Sequence, residues 1–72
     1  MNNVLVFKTS VSKKKHIKTV QPILNKLVTQ QDYWNFDLED CDNILRVETQ
    51  WLSAGFICET LQSQGFYCEE LI

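Results

Sequence analysis

The order in which hydrophobic periods follow one another constrains the fold of this chain more than any other feature. Residues 3–9 form a run of β-branched and apolar side chains that predicts a strand. From Ser12 to about Gln30 the apolar residues recur at helical spacing, which predicts a helix of about five turns with Ser12 as its N-cap. Pro22 lies in the helix interior and is expected to kink it, because proline removes a backbone hydrogen bond.

The next stretch predicts a hairpin of two strands. Residues 33–39 alternate between apolar and polar side chains, residues 40–43 have the composition of a turn, and residues 44–48 are again apolar at alternate positions. The side chains expected to face the interior are Trp34, Phe36, Leu38, Leu45 and Val47.

The end of the chain predicts a second helix and a short last strand. Ser53 is the expected N-cap, the helix runs to about Gln64, and Gly65 ends it; residues 66–71 form the strand. The order βαββαβ predicts one α+β domain over residues 1–72, a ferredoxin-like sandwich with a four-stranded antiparallel sheet and both helices on one face.

The strand directions place three connections at one edge of this sheet. They are the loop around Ser12, the hairpin around Cys41 and the turn at Gly65. We therefore expect the function of the domain to involve this edge.

The composition indicates a cytoplasmic protein. The longest apolar run is only four residues, Val4 to Phe7, which is too short to span a membrane or to form the core of a signal peptide. The cysteines, Cys41, Cys58 and Cys68, are odd in number and widely spaced, which favours a reducing compartment over a disulfide framework.

Charge is distributed unevenly along the chain. Residues 1–31 contain six lysines and no acid, whereas residues 32–72 contain nine acids and one arginine. Lys13, Lys14, Lys15 and His16 fall in the first turn of the first helix, where the helix dipole disfavours cations. A bound anion or an acidic partner would explain their presence there.

Three segments resemble the heavy-metal-associated (HMA) domain of copper chaperones and copper ATPases. The stretches "DLED…ILRVE" and "LQSQGFYCEEL" resemble its second hairpin and its closing helix, turn and strand. The likeness is greatest to short, stand-alone bacterial relatives that lack the metal motif. The family's loop reads roughly Met-Thr-Cys-x-x-Cys; Val11 and Ser12 match the first two positions, while Lys13 and His16 replace the cysteines. The resemblance implies a chaperone scaffold without its two thiolate ligands, whose basic loop docks acidic modules.

The sequence favours three other functions less than protein binding. An altered copper or zinc site would have to use His16 with Cys41 or Cys68, next to repelling ammonium groups. No catalytic constellation or phosphate loop is present in the sequence, so we expect neither an enzyme nor a cofactor. Nucleic-acid binding is disfavoured because Asp37 and Glu48 would share the open sheet face with any stacking aromatic ring.

The sequence thus predicts a non-enzymatic domain that binds another protein. Lys13, Lys14, Lys15 and His16 are the expected contact residues for an acidic partner surface. The open sheet face is expected to carry an apolar strip suited to a homodimer, and its predicted members are Leu5 or Phe7, Tyr33 and Ile44.

Overall fold

The computed structural model describes residues 3–39 and 43–71 and has the predicted element order. The elements are β1 (Asn3–Thr9), α1 (Lys14–Leu27), β2 (Tyr33–Asp37), β3 (Ile44–Thr49), α2 (Ala54–Ser63) and β4 (Cys68–Leu71). The strands form one antiparallel sheet in the order β2-β3-β1-β4. The predicted α+β, ferredoxin-like arrangement is therefore confirmed.

The core lies between one face of the sheet and both helices. In the central strands Phe7 lies opposite Leu45, and on the next strand Phe36 lies opposite the same leucine. Directly opposed residues of antiparallel strands share a face, so these side chains meet the helices together. The helices supply their buried residues to the same cluster, namely Val20, Leu24, Ile57 and Leu61.

The other face of the sheet differs from the predicted apolar strip. The prediction that Leu5 or Phe7 lines this face is wrong, because Phe7 is fully buried in the core and Leu5 packs against it. The β1 residues on the open face are Val4, Val6 and Lys8, which lie opposite Glu48, Arg46 and Ile44 of β3. Of the predicted strip, Tyr33 is exposed and Ile44 is buried.

Charged groups occupy much of this open face. Arg46 lies 3.8 Å from Asp37 in an exposed ion pair, and Lys8 lies opposite Glu69 on β4. Lys8, a cation of residues 1–31, thus lies opposite an acid of residues 32–72, whereas Arg46 and Asp37 both belong to residues 32–72. The uneven charge distribution of the sequence is partly neutralised there.

The first helix is shorter than predicted at both ends. It begins at Lys14, and it ends at Leu27 rather than near Gln30. The early end coincides with a local turn, in which the Asp32 carboxylate accepts a hydrogen bond from the Thr29 backbone N–H and the Asp32 N–H donates to the Thr29 carbonyl. These bonds use backbone groups that a longer helix would need.

The second helix ends as predicted. Gly65 has φ +87°, the left-handed conformation that glycine adopts without strain. Its N–H donates to the Gln62 carbonyl, and the Phe66 N–H donates to the Leu61 carbonyl. Because residues 66 and 67 complete this turn, β4 begins at Cys68 rather than at residue 66.

The two tryptophans differ in burial: Trp34 faces the interior as the strand phase predicts, although it is less buried than a core residue, and Trp51 is exposed. Trp34 packs against the edge of the core and donates its indole N–H to Asn25 at 2.9 Å. Trp51, in the connection after β3, is 60% exposed and donates its indole N–H to Asp32 at 2.9 Å.

Candidate functional site

Two of the three predicted connections, and the end of the third, meet at one end of the sheet, where β1 ends and β3 and β4 begin. We call this end of the sheet the tip and define it as residues 10–16, Asn43 and residues 65–67. Thr9 Oγ1 donates to the Asn43 carbonyl at 2.7 Å, which joins the end of β1 to the start of β3. The turn at 40–42, with Cys41, lies outside the described residues.

Reciprocal hydrogen bonds join the β1–α1 loop to the α2–β4 turn. The Ser10 N–H donates to the Tyr67 carbonyl at 3.1 Å, and the Tyr67 N–H donates to Ser10 Oγ at 2.8 Å. The Tyr67 hydroxyl in turn donates to Glu69 at 2.6 Å, and this bond raises the pKa of the phenol. Hydrogen bonds therefore join the segments of the tip into one platform, so they are not independent loops.

The first helix starts without a side-chain cap. The prediction that Ser12 is the N-cap is wrong: Lys13 occupies that position, with extended φ −129° and ψ 154°, and its side chain makes no capping hydrogen bond. The reason lies one residue earlier in the loop, where Val11 is fully buried and donates its N–H to Thr9 Oγ1 at 3.2 Å. This anchor fixes the position at which the chain enters the helix.

The lysines at this helix start are exposed and form no ion pair with the described residues. Lys13, Lys14 and Lys15 all point to solvent, and the first turn contains no Asp or Glu. Within residues 3–39 and 43–71, no carboxylate forms an ion pair with any of the three. Their charges add to the positive end of the helix dipole, so the helix start contributes positive potential to the described part of the tip.

His16 joins the loop before α1 to the α2–β4 turn. Its ring is half-buried and packs edge-on against Phe66, with 5.3 Å between the ring centroids. Its Nδ1 accepts a hydrogen bond from the Ser12 N–H at 3.3 Å. These contacts position the loop, and the role of His16 as a contact residue for a partner stays a prediction.

The structure describes two of the three residues predicted for the alternative metal site, and their surroundings differ: His16 is half-buried in the tip, and Cys68 is buried in the core. Cys68 is 4% exposed, lies in the hydrophobic core and donates its thiol to Cys58 Sγ at 3.4 Å. Burial, and secondly this hydrogen bond, raise the pKa of the Cys68 thiol. Cys41 lies outside the described residues, within which no three His, Cys, Asp or Glu side chains converge on a metal-sized site.

The second strand-to-helix connection follows the same plan as the first. Thr49 ends β3 as Thr9 ends β1, and both threonines are buried. Thr49 Oγ1 accepts hydrogen bonds from the N–H groups of Trp51 and Leu52, each at 3.2 Å. In both connections the N-cap is the fourth residue after the threonine, Lys13 in the first and Ser53 in the second.

Ser53 completes its helix as the sequence predicted. Its hydroxyl oxygen accepts the Phe56 N–H at 3.1 Å. The shared spacing, a threonine followed by the cap four residues later, is visible in the sequence as TSVSK and TQWLS. This signal could have identified Lys13 as the counterpart of a capping serine.

A carboxylate also secures the second connection. Asp32 accepts the Trp51 indole N–H, and the pKa of Asp32 lies below its usual value. The hydrogen bond from the Thr29 backbone is the main cause, and those from Trp51 and Thr49 add to it. The first connection has no such carboxylate among the described residues.

Comparisons with known proteins return nothing for this chain: no family model, curated protein or solved structure matches it. In the part of the chain that the structure describes there is no ligand pocket. None of the described helices combines the length and apolar character that crossing a membrane requires.

Proposed function

We propose that this chain is a non-enzymatic interaction domain that binds an acidic protein surface through Lys13, Lys14 and Lys15. The observation that carries the proposal is the use of a lysine as N-cap where the matching position of the second helix holds a capping serine. The resemblance to copper chaperones, in which basic residues beside this loop dock acidic ATPase modules, agrees with it and stays a prediction.

The energetics of the helix start support a binding role. Omitting a capping side chain costs about 0.5–2 kcal/mol of stability. A cation in the first turn opposes the helix dipole by about 0.3–1 kcal/mol when it is exposed. Because a 72-residue domain has little stability to spare, an arrangement that is unfavourable for folding at this position indicates a use in binding.

The rigidity of the platform supports the same role. The hydrogen bonds between Ser10 and Tyr67, and the contact of His16 with Phe66, hold the loop in place without using the lysine side chains. A preorganised loop loses less conformational entropy when a partner binds. The ammonium groups and the free N–H groups of the first helical turn can then face carboxylates together.

Binding of a fluorescent oligo-glutamate peptide tests the proposal. Lys13→Glu combined with Lys14→Glu should weaken binding at low salt by roughly tenfold or more, and the loss should shrink as salt rises. Lys18→Glu combined with Lys26→Glu is the matched control: it also reverses two exposed lysine charges on the same helix, but outside its first turn.

Equal weakening by the tip and control variants would show that only overall charge matters and would refute a site at the tip. The protein could instead bind single-stranded RNA or inorganic phosphate more tightly than oligo-glutamate, and lose that binding in the tip variant. That outcome would refute an acidic protein as the partner and identify the tighter ligand in its place. If oligo-glutamate does not bind detectably at low salt, the proposal fails.

A further inference from the structure

The two thiols of the core lie within reach of each other, and we infer that Cys58 and Cys68 form an intramolecular disulfide when a low-molecular-weight disulfide such as oxidised glutathione is present. Both are free cysteines, with their sulfurs 3.4 Å apart. Cys58 lies within α2 and Cys68 begins β4, so the bond would join the helix to the edge strand of the sheet. This inference does not depend on the proposed binding function.

The surrounding structure keeps the two sulfurs together. The α2–β4 turn is closed by the Phe66 N–H bond to the Leu61 carbonyl, and Gln62 Nε2 donates to the Cys68 carbonyl at 3.4 Å. A disulfide needs a sulfur–sulfur distance of about 2.05 Å, so the sulfurs must approach by roughly 1.4 Å. We expect rotation of the two cysteine side chains to supply a displacement of this size.

The difference in burial assigns a different role to each thiol. Cys58 is half-buried and reachable by a reagent, whereas Cys68 is buried and its raised pKa keeps it protonated. Since the thiolate is the nucleophile, Cys58 attacks first and Cys68 acts as the resolving thiol.

The reaction balances with oxidised glutathione as the oxidant. The Cys58 thiolate attacks one glutathione sulfur, the glutathione disulfide bond breaks, and the first glutathione leaves and takes up the proton that Cys58 released. The Cys68 sulfur then attacks Cys58 Sγ in the mixed disulfide, and the second glutathione leaves with the proton of Cys68. Two protein thiols are oxidised to one disulfide, and one glutathione disulfide is reduced to two thiols.

The bond would also enclose part of the tip in a covalent loop. The loop it closes runs from Cys58 to Cys68 and contains residues 65–67, which hold Ser10 and pack against His16. Closing a loop of this length restricts the unfolded chain and stabilises the folded one.

Mass spectrometry of the folded Cys41→Ser variant tests the inference, because that background leaves only the two thiols concerned. After incubation with oxidised glutathione, we expect the loss of two hydrogen atoms, no retained glutathione, and a Cys58–Cys68 peptide in a non-reducing digest. The Tm should rise by roughly 10 °C and return to its former value with reductant. A digest of the wild-type chain should contain the same linked peptide.

Two further variants in this background test the order of attack. Cys68→Ala should retain one glutathione on Cys58, whereas Cys58→Ala should accumulate the adduct on Cys68 at least tenfold more slowly. If Cys68→Ala does not fold, alkylation of the parent protein replaces it, and Cys58 should react first. A stable glutathione adduct on Cys58 with Cys68 still present, thiols that do not react, or faster cross-linking in urea than in buffer would each overturn the inference.

Discussion

The two strand-to-helix connections share a backbone plan and differ in what completes it. Each begins with a buried threonine whose hydroxyl accepts a backbone N–H, and each reaches its N-cap four residues later. At the β3–α2 connection Ser53 caps the helix; at the β1–α1 connection Lys13 does not, and two more lysines follow. Both connections therefore have the threonine anchor, which the fold requires, whereas only the β3–α2 connection has a side-chain helix cap.

Removing the anchors should produce the largest effect. Thr49→Val keeps the shape of the side chain but leaves the N–H groups of Trp51 and Leu52 without their acceptor. We expect a loss of about 2–4 kcal/mol in the free energy of unfolding, because an unsatisfied buried group costs about 1–3 kcal/mol.

Thr9→Val is the matched variant in the other connection, where one N–H and the bond to the Asn43 carbonyl are lost. It should also destabilise the protein, by about 1–3 kcal/mol. Urea unfolding measures both variants. A cost below half a kilocalorie for either would show that the two connections are not built on a common anchor.

Replacing the capping serine of the second connection by alanine should give the next largest effect on stability. Ser53→Ala should cost about 1 kcal/mol, because it removes the acceptor of the Phe56 N–H. Ser12→Ala should cost much less, since Ser12 is exposed and precedes the N-cap. Thermal melts of the two variants, run side by side, compare them. Equal costs would restore Ser12 as a cap and remove the asymmetry between the connections.

The sequence predicted those parts of the structure that local signals determine. Gly65 and Ser53 end and begin α2 through interactions within a few residues, and the alternation around Trp34 fixed the strand phase of β2. The phase of β1 could not be predicted, because residues 4–7 are apolar at every position. Its pairing with β3, which places Phe7 opposite Leu45, decides that phase.

The candidate site was predicted in composition but not in detail. The sequence located the lysines and the edge of the sheet on which they lie. It did not separate His16, which packs on Phe66, from its neighbours, because that contact joins residues 50 positions apart. The pairing of Cys58 with Cys68 was hidden for a related reason: it depends on how α2 lies on β4, which no spacing of cysteines reports.

Giving the first helix the cap of the second should produce a gain. Lys13→Ser places a capping hydroxyl at the N-cap and should raise the free energy of unfolding by about 0.5–1 kcal/mol. Lys14→Glu reverses a charge in the first turn and should add about 0.3–1 kcal/mol at low salt. Thermal melts at low and high salt check both changes. If either lowers stability by more than about 1 kcal/mol, the lysines are structural and the proposed docking role is lost with them.

The smallest expected effect is the loss of stability in acid that comes from Asp32, the carboxylate that accepts a hydrogen bond from Trp51 in the second connection. The pKa of Asp32 is lowered in the folded state, mainly by the Thr29 backbone bond and then by Trp51, so its contribution to stability is complete above the pKa of the unfolded chain. That contribution disappears as the pH falls through the lower folded-state value. Asp32→Asn should therefore flatten the decline in stability between about pH 5 and pH 2.

Trp51 fluorescence in a Trp34→Phe background reports this change locally, because Asp32 accepts the Trp51 indole N–H. Glu39→Gln is the matched control, since it also removes one carboxylate but lies away from this connection, just after β2. The effect should be small because Asp32 is only partly buried. An acid profile that Asp32→Asn leaves as steep as in the parent protein would show that hydrogen bonds to Thr49 and Ser53 alone secure the second connection.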